Sequence, residues 1–557
     1  MKNIKLIILS FVLLVTGFQS CTDEALEIEN INQLALSSFY KTPEDALYAV
    51  NACYTPLAHS GVFGLRWFFL FNSFEDRILF ETPAMDNISI NSSNEYVTWM
   101  HRDLFMGVWR TSHVLRNLLD TEIPGLKEDQ LNQYMAQVRA LRAMYYFILV
   151  TVYDRPVFYD ENSLPMDAYE AYSNGERLDF WNKIREDLEF AIPVLPVQYS
   201  DSEVGRITSG AAKALLGKAM LYKHYYYHIR FGDKGGADDV SDLELARTMF
   251  NEVINSPVYS LIQPKDETSQ LDHINAVLCN TSFMELPASD GSTYRSENNS
   301  ESIWEVQYSD QRINQGWLPG WQWSGNMNFQ WFSHHESSFR NHEAHPDMYY
   351  AFEEVSGHPA GFTKDPRTYA SLLMDGERLH FLPEEEYFNK FYTSGINNKK
   401  VAESRGLNYP DQPTIGFGLK KYNYPTYNDK AAPNNAPFNH RIIRLADVYL
   451  MYAELMYLLG DDGSGLNALN LIRDRVNMPP ISELTTDAII HERDVELAFE
   501  GHRYIDLIRW SFDPEWGIDW MKIYAGDVFQ VGKNEFLPLP ISEINVNRGQ
   551  LKQNPGW

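Results

Sequence analysis

The chain has 557 residues, of which 75 are acidic and 47 are Lys or Arg, so its formal net charge at pH 7 is −28. This charge argues against the clustered basic surface with which proteins bind nucleic acids or anionic lipids. A charged fraction of 22% beside an aromatic fraction of 14% argues against a disordered chain and indicates a folded, acidic, aromatic-rich protein.

The first twenty residues have the features of a secretory signal. Two lysines precede an almost unbroken apolar run over residues 6–15, which is too short for a stop-transfer helix. Cys21 follows and resembles the acylated cysteine of a bacterial lipobox; the alternative is an ordinary signal peptide whose cleavage site contains a cysteine by chance. We therefore expect residues 1–20 to be removed and residues 21–557 to be anchored to a membrane by lipid on Cys21.

Amphipathic helices are predicted toward both ends of the chain. In the clearest run, residues 131–153, the apolar side chains of Leu141, Tyr145, Ile148 and Val152 recur at intervals of four and three and share one helix face. Glycines and prolines separate the other predicted helices, which cover residues 44–57, 104–119, 180–192, 210–228, 243–254, 442–459, 467–476 and 487–510.

The predicted fold class is all-α dominated: a tetratricopeptide-like scaffold of paired helices with one long insertion. Residues 21–260 and 441–557 supply the helices, whereas residues 261–440 are loop-rich and contain many Gly, Pro, Asn, Ser and His residues. Within the insertion, residues 301–308 predict a short strand. Long irregular insertions on a rigid scaffold commonly carry binding surfaces, so we expect one domain with its binding face in the insertion.

A tryptophan-rich segment is the most unusual feature of the insertion. Four of the 13 tryptophans lie within 15 positions, among Gly, Pro, Ser and Asn residues that disfavour a buried helix or strand. Indole faces stack on the C–H faces of sugars, and nearby amides bond sugar hydroxyls, which predicts a carbohydrate platform. The alternative is that the indoles fill the core beneath the loops. The candidate ligand-binding residues here are Trp317, Trp321, Trp323, Asn326 and Trp331.

A histidine cluster follows the tryptophans. His342 and His345 are one residue closer than the two histidines of the H-E-x-x-H zinc motif, and His334 and His335 lie just before them. Because Pro346 follows at once, polar histidines in a loop are favoured over a metal site. We therefore predict no metal and no cofactor.

The cysteine count favours free thiols. Only Cys53 and Cys279 remain in the mature chain besides Cys21, too few for a disulfide framework. These two cysteines could pair with each other, but buried thiols that behave as small hydrophobic side chains are favoured.

Charged residues recur along the last predicted helix at intervals of three and four. Opposite charges at positions i and i+3 of a helix lie side by side, so this pattern predicts a structural ladder of ion pairs that joins the helix to the scaffold. An active site is the less favoured interpretation. The residues are Arg493, Glu496, Glu500, Arg503, Asp506 and Arg509.

Several separated segments resemble the SusD/RagB family, the surface lipoproteins of Bacteroidetes that capture nutrients, chiefly glycans, for outer-membrane uptake. Residues 492–510 (E-R-D-V-E-L-A-F-E-G-H-R-Y-I-D-L-I-R-W) are the most specific part of this resemblance. The other segments are residues 138–147, 205–222, 444–454, 537–544 and the terminal Q-N-P-G-W at 553–557. Together with the lipobox, the resemblance spans nearly the whole chain.

The resemblance implies a fold, a location and a partner. It implies tetratricopeptide-like helix pairs, an outer-membrane protein that faces the exterior, and a SusC-like TonB-dependent transporter over which the lipoprotein sits. It also implies binding without catalysis, hence no catalytic residues. In the family, aromatic residues of an early loop join those of the insertion, and the early candidates here are Trp67, Asp76, Arg77, Tyr96 and Trp99.

The leading functional hypothesis is the capture of an oligo- or polysaccharide and its delivery to the transporter. An endo-acting glycoside hydrolase and a helical-repeat adaptor that binds protein are the alternatives from other classes. The strong negative charge favours a neutral glycan, because a polyanion would be repelled at long range, although local Arg or Lys residues could override this repulsion.

Overall fold

The computed structural model describes residues 39–80, 88–163, 172–282, 285–308, 326, 342–373, 417–422, 437–524 and 528–557. The signal segment, Cys21, Trp317, Trp321, Trp323 and Trp331 lie outside these residues. In the part of the chain that is described, helices dominate and strands are short, which confirms the predicted all-α-dominated class.

The helices before the insertion are α1 (Pro43–Ala58), α2 (Arg66–Ser73), α3 (Glu95–Asp120), α4 (Glu128–Tyr153), α5 (Arg177–Ala191), α6 (Ser209–Lys223) and α7 (Ala237–Ile254). A π-helical turn, His224–Ile229, continues α6. The helices of the insertion are short: α8 (Gln270–Leu278), α9 (Pro346–Ala351) and α10 (Arg367–Ser371). The C-terminal helices are α11 (Leu445–Leu459), α12 (Asp462–Asp474), α13 (Thr486–Glu496), α14 (Arg503–Ser511), α15 (Trp520–Ile523) and α16 (Ile541–Val546).

The described strands form four antiparallel pairs, of which β1–β5 and β4–β8 join the insertion to the scaffold and the other two lie within the insertion. They are β1 (Ile78–Phe80), β2 (Leu286–Pro287), β3 (Thr293–Tyr294), β4 (Ser302–Val306), β5 (His342–Ala344), β6 (Leu372–Leu373), β7 (Gly418–Leu419) and β8 (His440–Arg444). Strand β4, which lies within the predicted residues 301–308, pairs with β8 at the start of the C-terminal helices. Strand β1 pairs with β5, with Ile78 opposite Ala344.

Successive helices pack against one another along the scaffold. Helix α1 packs on α3, then α3 on α4, α4 on α5, α5 on α6 and α6 on α7. The stack continues across the insertion, because α11 packs on α7 and α12 packs on α11. One hydrophobic core runs from Tyr40 to Leu551 through both sets of helices. The described helices before and after the insertion therefore share one core.

The last predicted helix, residues 487–510, is two helices in the structure. Helix α13 ends at Glu496 and α14 begins at Arg503, and the turn between them contains Phe499 and Gly501 with φ of 64° and 77°. An α-helix does not continue through left-handed residues, so the chain changes direction here. The single glycine inside an otherwise helical pattern was the sequence signal for this break.

The charged residues of α13 and α14 join these helices to the scaffold, as predicted, but mostly through other partners. Asp506 binds Arg509 at 2.8 Å, an i,i+3 pair, and also Arg493 of the preceding helix at 2.8 Å. Glu500 binds Arg444 at 2.8 Å. Arg503 reaches back to Asp76 at 2.7 Å. The turn between the two helices redirects the side chains from neighbours along one helix to partners on distant segments.

The two described cysteines are buried and free. Neither Cys53 nor Cys279 forms a disulfide, which confirms the prediction of unpaired thiols. Burial raises the pKa of the Cys279 thiol to about 12, so this side chain stays neutral.

Of the helices that are described, none is both long and apolar enough to cross a bilayer.

Candidate functional site

Aromatic and basic side chains from α2 and α3 form a partly exposed cluster, which we call the α3 aromatic cluster: Arg66, Phe69, Tyr96, Trp99 and Arg102. The Tyr96 ring stacks on Phe69 at 4.5 Å between centroids, with an interplanar angle of 9°. The Arg66 guanidinium lies 4.2 Å from the Tyr96 ring centroid and 4.8 Å from that of Trp99. Arg102 lies 5.5 Å from the Trp99 ring. Three aromatic rings and two cations thus meet at the start of α3.

Local sequence rules position this cluster. Asn94 caps α3, and its side-chain oxygen accepts a hydrogen bond from the Tyr96 N–H at 2.9 Å, which fixes the first turn of the helix. Trp99 and Arg102 follow Tyr96 at successive intervals of three residues and so lie on neighbouring turns of one face. Arg102 also binds Asp103 at 2.7 Å, and this buried carboxylate accepts the Gly61 N–H at 3.1 Å.

Arg66 is the unusual member of the cluster. Only 5% of it is exposed, and its Nε is buried without a hydrogen-bond partner in the described part of the chain. Burial lowers the pKa of Arg66 to about 10, against the opposing influence of Tyr96, Glu95 and Asp103. The side chain remains a cation at neutral pH.

The described ends of the tryptophan-rich region are anchored near this cluster. Tyr308, the last described residue before this region, donates its hydroxyl to the Ala58 carbonyl at 3.2 Å and its N–H to the Asn439 side chain at 2.9 Å. His342, the first described residue after Trp331, is fully buried and hydrogen-bonds Ser73 at 2.8 Å. The His342 ring also meets Phe69 edge-on at 5.3 Å. Phe69 therefore contacts both Tyr96 and His342.

Asn326 is the one candidate in the tryptophan-rich segment that lies within the described residues. It is 1% exposed, and its amide donates to the Phe438 carbonyl at 2.9 Å. Phe438 packs in a small hydrophobic cluster with Phe68 of α2 and Ile78 of β1. This contact holds the middle of the segment against the same early part of the chain.

Trp67 is half-buried, and its ring packs into the scaffold. It contacts Phe63 and Phe71 with centroid distances of 5.6 and 4.6 Å. It also lines an internal cavity of about 30 Å³ with His440. Burial lowers the pKa of His440 to about 3, so the imidazole is neutral, whereas Lys218, Arg441 and Glu500 line the same cavity.

Asp76 and Arg77 are engaged in ion pairs with the C-terminal helices. Asp76 binds Arg503 at 2.7 Å, and Arg77 binds Asp494 at 2.9 Å. Burial alone would raise the pKa of Asp76, but Arg503 outweighs it and lowers the pKa to about 2. These bonds hold the chain between α2 and β1 against the turn that ends α13.

The histidine spacing does not produce a helical pair. His342 belongs to β5, and His345 caps α9, its Nδ1 accepting the Asp347 N–H at 3.1 Å. Within the described residues no group of three or more His, Cys, Asp or Glu side chains could hold a metal ion. His334 and His335 lie outside these residues.

Sequence reasoning missed Arg66 and Arg102. Their signal was present, because each arginine lies one to three residues from a candidate aromatic residue, at Trp67 and Trp99. Charge alone could not separate them from the other Lys and Arg residues, because arginines such as Arg77 and Arg503 form structural ion pairs in the described part of the chain. Only the contact of α2 with α3 brings Arg66 between two rings.

Two family models match the chain. The model described as "SusD family" matches residues 300–557, and the model described as "Starch-binding associating with outer membrane" matches residues 74–221. A SusD-like protein of Bacteroides ovatus is 26% identical over 528 residues, which cover 92% of this chain and 83% of that protein.

Solved structures give the same fold. A laminarin-binding SusD-like protein is similar with a TM-score of 0.67 and 26% identity, over 93% of this chain and 100% of that protein. Surface glycan-binding protein A of Bacteroides thetaiotaomicron, solved in complex with laminarihexaose, has a TM-score of 0.66 and 21% identity over 92% of this chain and 99% of its own.

Proposed function

The chain belongs to the SusD/RagB family, and we propose that it is a cell-surface glycan-binding lipoprotein that works without catalysis. It captures an oligo- or polysaccharide outside the outer membrane and delivers it to a SusC-like TonB-dependent transporter. One observation carries this proposal. Phe69 stacks on Tyr96 of the α3 aromatic cluster and also meets His342, at the described end of the tryptophan-rich region. This bridge supports a shared ligand face that joins the early segment to the insertion.

The chemistry of this face suits a saccharide. Trp99 offers a flat ring for the C–H face of a sugar, and Arg66 and Arg102 offer N–H donors for its oxygens. The Tyr96 ring already carries Phe69 and Arg66, and so it positions Arg66 beside Trp99. The similar protein described as laminarin-binding supports a glycan as the ligand class. Laminarin is therefore the first polysaccharide to test.

We assign the sugar-stacking role first to Trp317 and Trp321, then to Trp323 and Trp331, together with Trp99. Tyr96 contributes to the same face by holding Arg66 over its ring. Asn326, Trp67, Asp76 and Arg77 support the same face, since the structure engages these side chains in packing, hydrogen bonds or ion pairs at its base. These roles differ in their consequences. Loss of a stacking residue should weaken binding alone, whereas loss of a supporting residue should also lower the melting temperature.

Affinity electrophoresis through a panel of polysaccharides tests the function. The wild-type protein should be retarded by at least one glycan, and Trp317→Ala/Trp321→Ala should lose that retardation with an unchanged melting temperature. Trp99→Ala should weaken it as well. Trp109→Ala is the matched control, because this indole is 38% exposed on the same helix but stacks on His113, away from the cluster.

The same purified protein and polysaccharides distinguish glycan capture from the hydrolase and adaptor hypotheses. Release of reducing ends from the retarding polysaccharide would support the endo-acting hydrolase, and steady zero release would remove it. Retardation by no glycan of the panel would contradict capture and favour the protein-binding adaptor.

Lipid anchoring and delivery to the transporter are tested in whole cells. Growth with labelled palmitate should label the wild-type protein but not the Cys21→Ala variant, and this variant should no longer be found in the outer-membrane fraction. A TonB-dependent transporter should co-purify with the wild-type protein from native outer membranes. Its absence after mild extraction would contradict the delivery step and leave glycan capture standing.

A further inference from the structure

The hydrogen-bonding capacity of Arg66 is unused. A guanidinium has five N–H donors, and the side chain of Arg66 forms no hydrogen bond or ion pair with the described residues, although only 5% of this residue is exposed. Other buried arginines of this protein bind carboxylates: Arg142 binds Asp187 at 2.7 Å, and Arg367 binds Asp365 at 2.7 Å. A buried cation without such a partner destabilises the fold. Its presence therefore calls for a reason other than stability.

The nearest carboxylates do not supply the missing partner. Glu95 and Asp103 act on Arg66 through their charge only. Asp103 is already engaged, because it binds Arg102 at 2.7 Å and accepts the Gly61 N–H at 3.1 Å. The guanidinium groups of Arg66 and Arg102 thus both lie beside the Trp99 ring. Among the described residues, the Arg66 guanidinium donates to no carboxylate, and Arg102 donates only its Nε, to Asp103.

Resting on the proposed function, we propose that the α3 aromatic cluster binds an acidic sugar unit of the glycan. The sugar ring stacks on Trp99 beside Tyr96, and its carboxylate or sulfate accepts N–H bonds from Arg66 and Arg102. A planar guanidinium held between rings is suited to this role, because it can bond two oxygens of one anionic group at once. A neutral sugar offers only hydroxyl and ether oxygens, which leave the buried cation without a counter-charge.

The net charge of −28 does not oppose this assignment. Interactions between exposed charges are largely screened beyond about 8 Å at physiological ionic strength, whereas the contact between an anion and Arg66 is short and shielded from water. The overall charge, which favours a neutral glycan on sequence grounds, mainly affects the rate at which a glycan approaches the protein. Arg66 and Arg102 instead affect the stability of the bound complex.

Titration calorimetry and affinity electrophoresis with three polysaccharides test the proposal: polygalacturonate for carboxylates, carrageenan for sulfates and laminarin as the neutral reference. The wild-type protein should bind polygalacturonate or carrageenan, more weakly as NaCl is raised. Arg66→Met should reduce that affinity roughly 10-fold or more, the range of a lost charge-assisted hydrogen bond. Arg247→Met, which removes an arginine of an exposed pair on α7, should leave it unchanged.

The stability of Arg66→Met separates a ligand-binding role from a merely structural one. If Arg66 serves the ligand, methionine fills the space between the rings without a buried charge, and the melting temperature should stay the same or rise. If Arg66 is structural, the melting temperature should fall. If Arg66→Met fails to fold, the structural role is correct and the proposal is wrong. Arg102→Met, at a residue 30% exposed, should reduce acidic-glycan affinity without this risk.

The outcomes also separate this inference from the proposed function. Binding of laminarin alone, or acidic-glycan affinity unchanged in both arginine variants, would overturn the acidic subsite and leave glycan capture intact. Binding of none of these polysaccharides, nor of any other in the wider panel, would overturn both.

Discussion

Glu297 is a single residue whose ionisation should be visible in stability. Its carboxylate accepts the Asn439 N–H at 2.7 Å, and Asn439 in turn holds Tyr308 at the entry to the tryptophan-rich region. Burial raises the pKa of Glu297 to about 7, and the nearby Glu305 adds to this effect. Because the pKa is higher in the folded protein, the stabilisation is complete below the ordinary pKa of 4.5 and is lost as pH rises through about 7.

We therefore expect Glu297→Gln to flatten the pH dependence of stability between pH 4.5 and 7, by at most about 3 kcal/mol. Chemical denaturation at a series of pH values measures this difference. Glu285→Gln is the control, because this carboxylate is exposed and bonds only a threonine hydroxyl. Equal slopes for wild type and Glu297→Gln would show that Glu297 titrates as it does in water.

At the residue scale, the sequence indicated which kinds of side chain matter but not how they are used. Trp99 and Tyr96 were predicted beside the ligand and lie in the aromatic cluster. Asp76 looks the same in the sequence, yet it is held by Arg503, which is 427 residues away. Such a partner follows from the folded chain and not from local spacing.

The turn between α13 and α14 sets the direction of two elements, and Gly501 is its critical position. A Cβ on Gly501 would lie 3.1 Å from Nε1 of Trp67, and the residue has φ of 77°. We expect Gly501→Ala to destabilise by more than the roughly 1–2 kcal/mol of a left-handed alanine alone, because Trp67 must also move. Thermal and chemical unfolding measure the change.

Gly460, which ends α11, is the matched control for this substitution. Its φ is 74°, but a Cβ there would meet nothing within 4 Å. Gly460→Ala should therefore lower the free energy of unfolding by the cost of a left-handed alanine alone, without a steric clash. Equal losses in the two variants would mean that Trp67 yields without cost and that only the backbone matters.

Buried ion pairs lock α13 to its neighbours, and Glu496 is their centre. It is fully buried and binds Arg444 at 2.8 Å, Arg367 at 3.2 Å and also Arg475. Burial alone would raise its pKa, but Arg475, Arg444 and Arg367 together hold the pKa of Glu496 well below its usual range. Its stabilising contribution is therefore present above about pH 4.5 and is lost only as pH falls toward the folded-state pKa.

We expect Glu496→Gln to destabilise the protein by roughly 3–5 kcal/mol, since it leaves buried guanidinium groups with too little negative charge. Glu186→Gln is the control: this side chain is 56% exposed, and loss of its pairs should change the free energy of unfolding by no more than about 1 kcal/mol. Urea titration at neutral pH compares the two. Similar small losses would contradict a central role for Glu496.

Elements with a strong local period were predictable, and those defined by tertiary contacts were not. Helix α4 was predicted over residues 131–153 and spans Glu128–Tyr153, because its apolar positions follow the helix period. Helix α3 was predicted over residues 104–119 and begins at Glu95. Its first turns carry Tyr96 and Trp99, whose rings lie in the α3 aromatic cluster. These two positions therefore do not continue the apolar helix period that predicted residues 104–119.

At the scale of the whole molecule, the site depends on contacts that no local pattern reveals. The sequence indicated that an early segment and the insertion share the ligand face, through the family resemblance. The structure shows one contact between these segments, at Phe69 of α2, whose ring stacks on Tyr96 and meets His342 edge-on. Neither spacing nor composition encodes a contact between residues 273 positions apart.

The same reasoning bears on the prediction of one domain. Helix α11 packs on α6 and α7, where Lys218 binds Asp447 at 3.1 Å and the Tyr225 hydroxyl donates to Glu454 at 2.8 Å. All four side chains are buried. A fragment that ends at residue 260 would expose this surface, with the apolar residues between the polar ones.

We therefore expect residues 21–260 alone to bind a hydrophobic dye and to melt without cooperativity, whereas residues 21–557 should unfold in one transition. Near-ultraviolet circular dichroism and tryptophan fluorescence, followed together during heating, measure both. Adding a separate fragment of residues 441–557 should restore near-ultraviolet signal, because that fragment carries the partners of Lys218 and Tyr225. Cooperative melting of the shorter fragment at the temperature of the full chain would instead show that the N-terminal helices form a domain of their own and that α11 only docks on it.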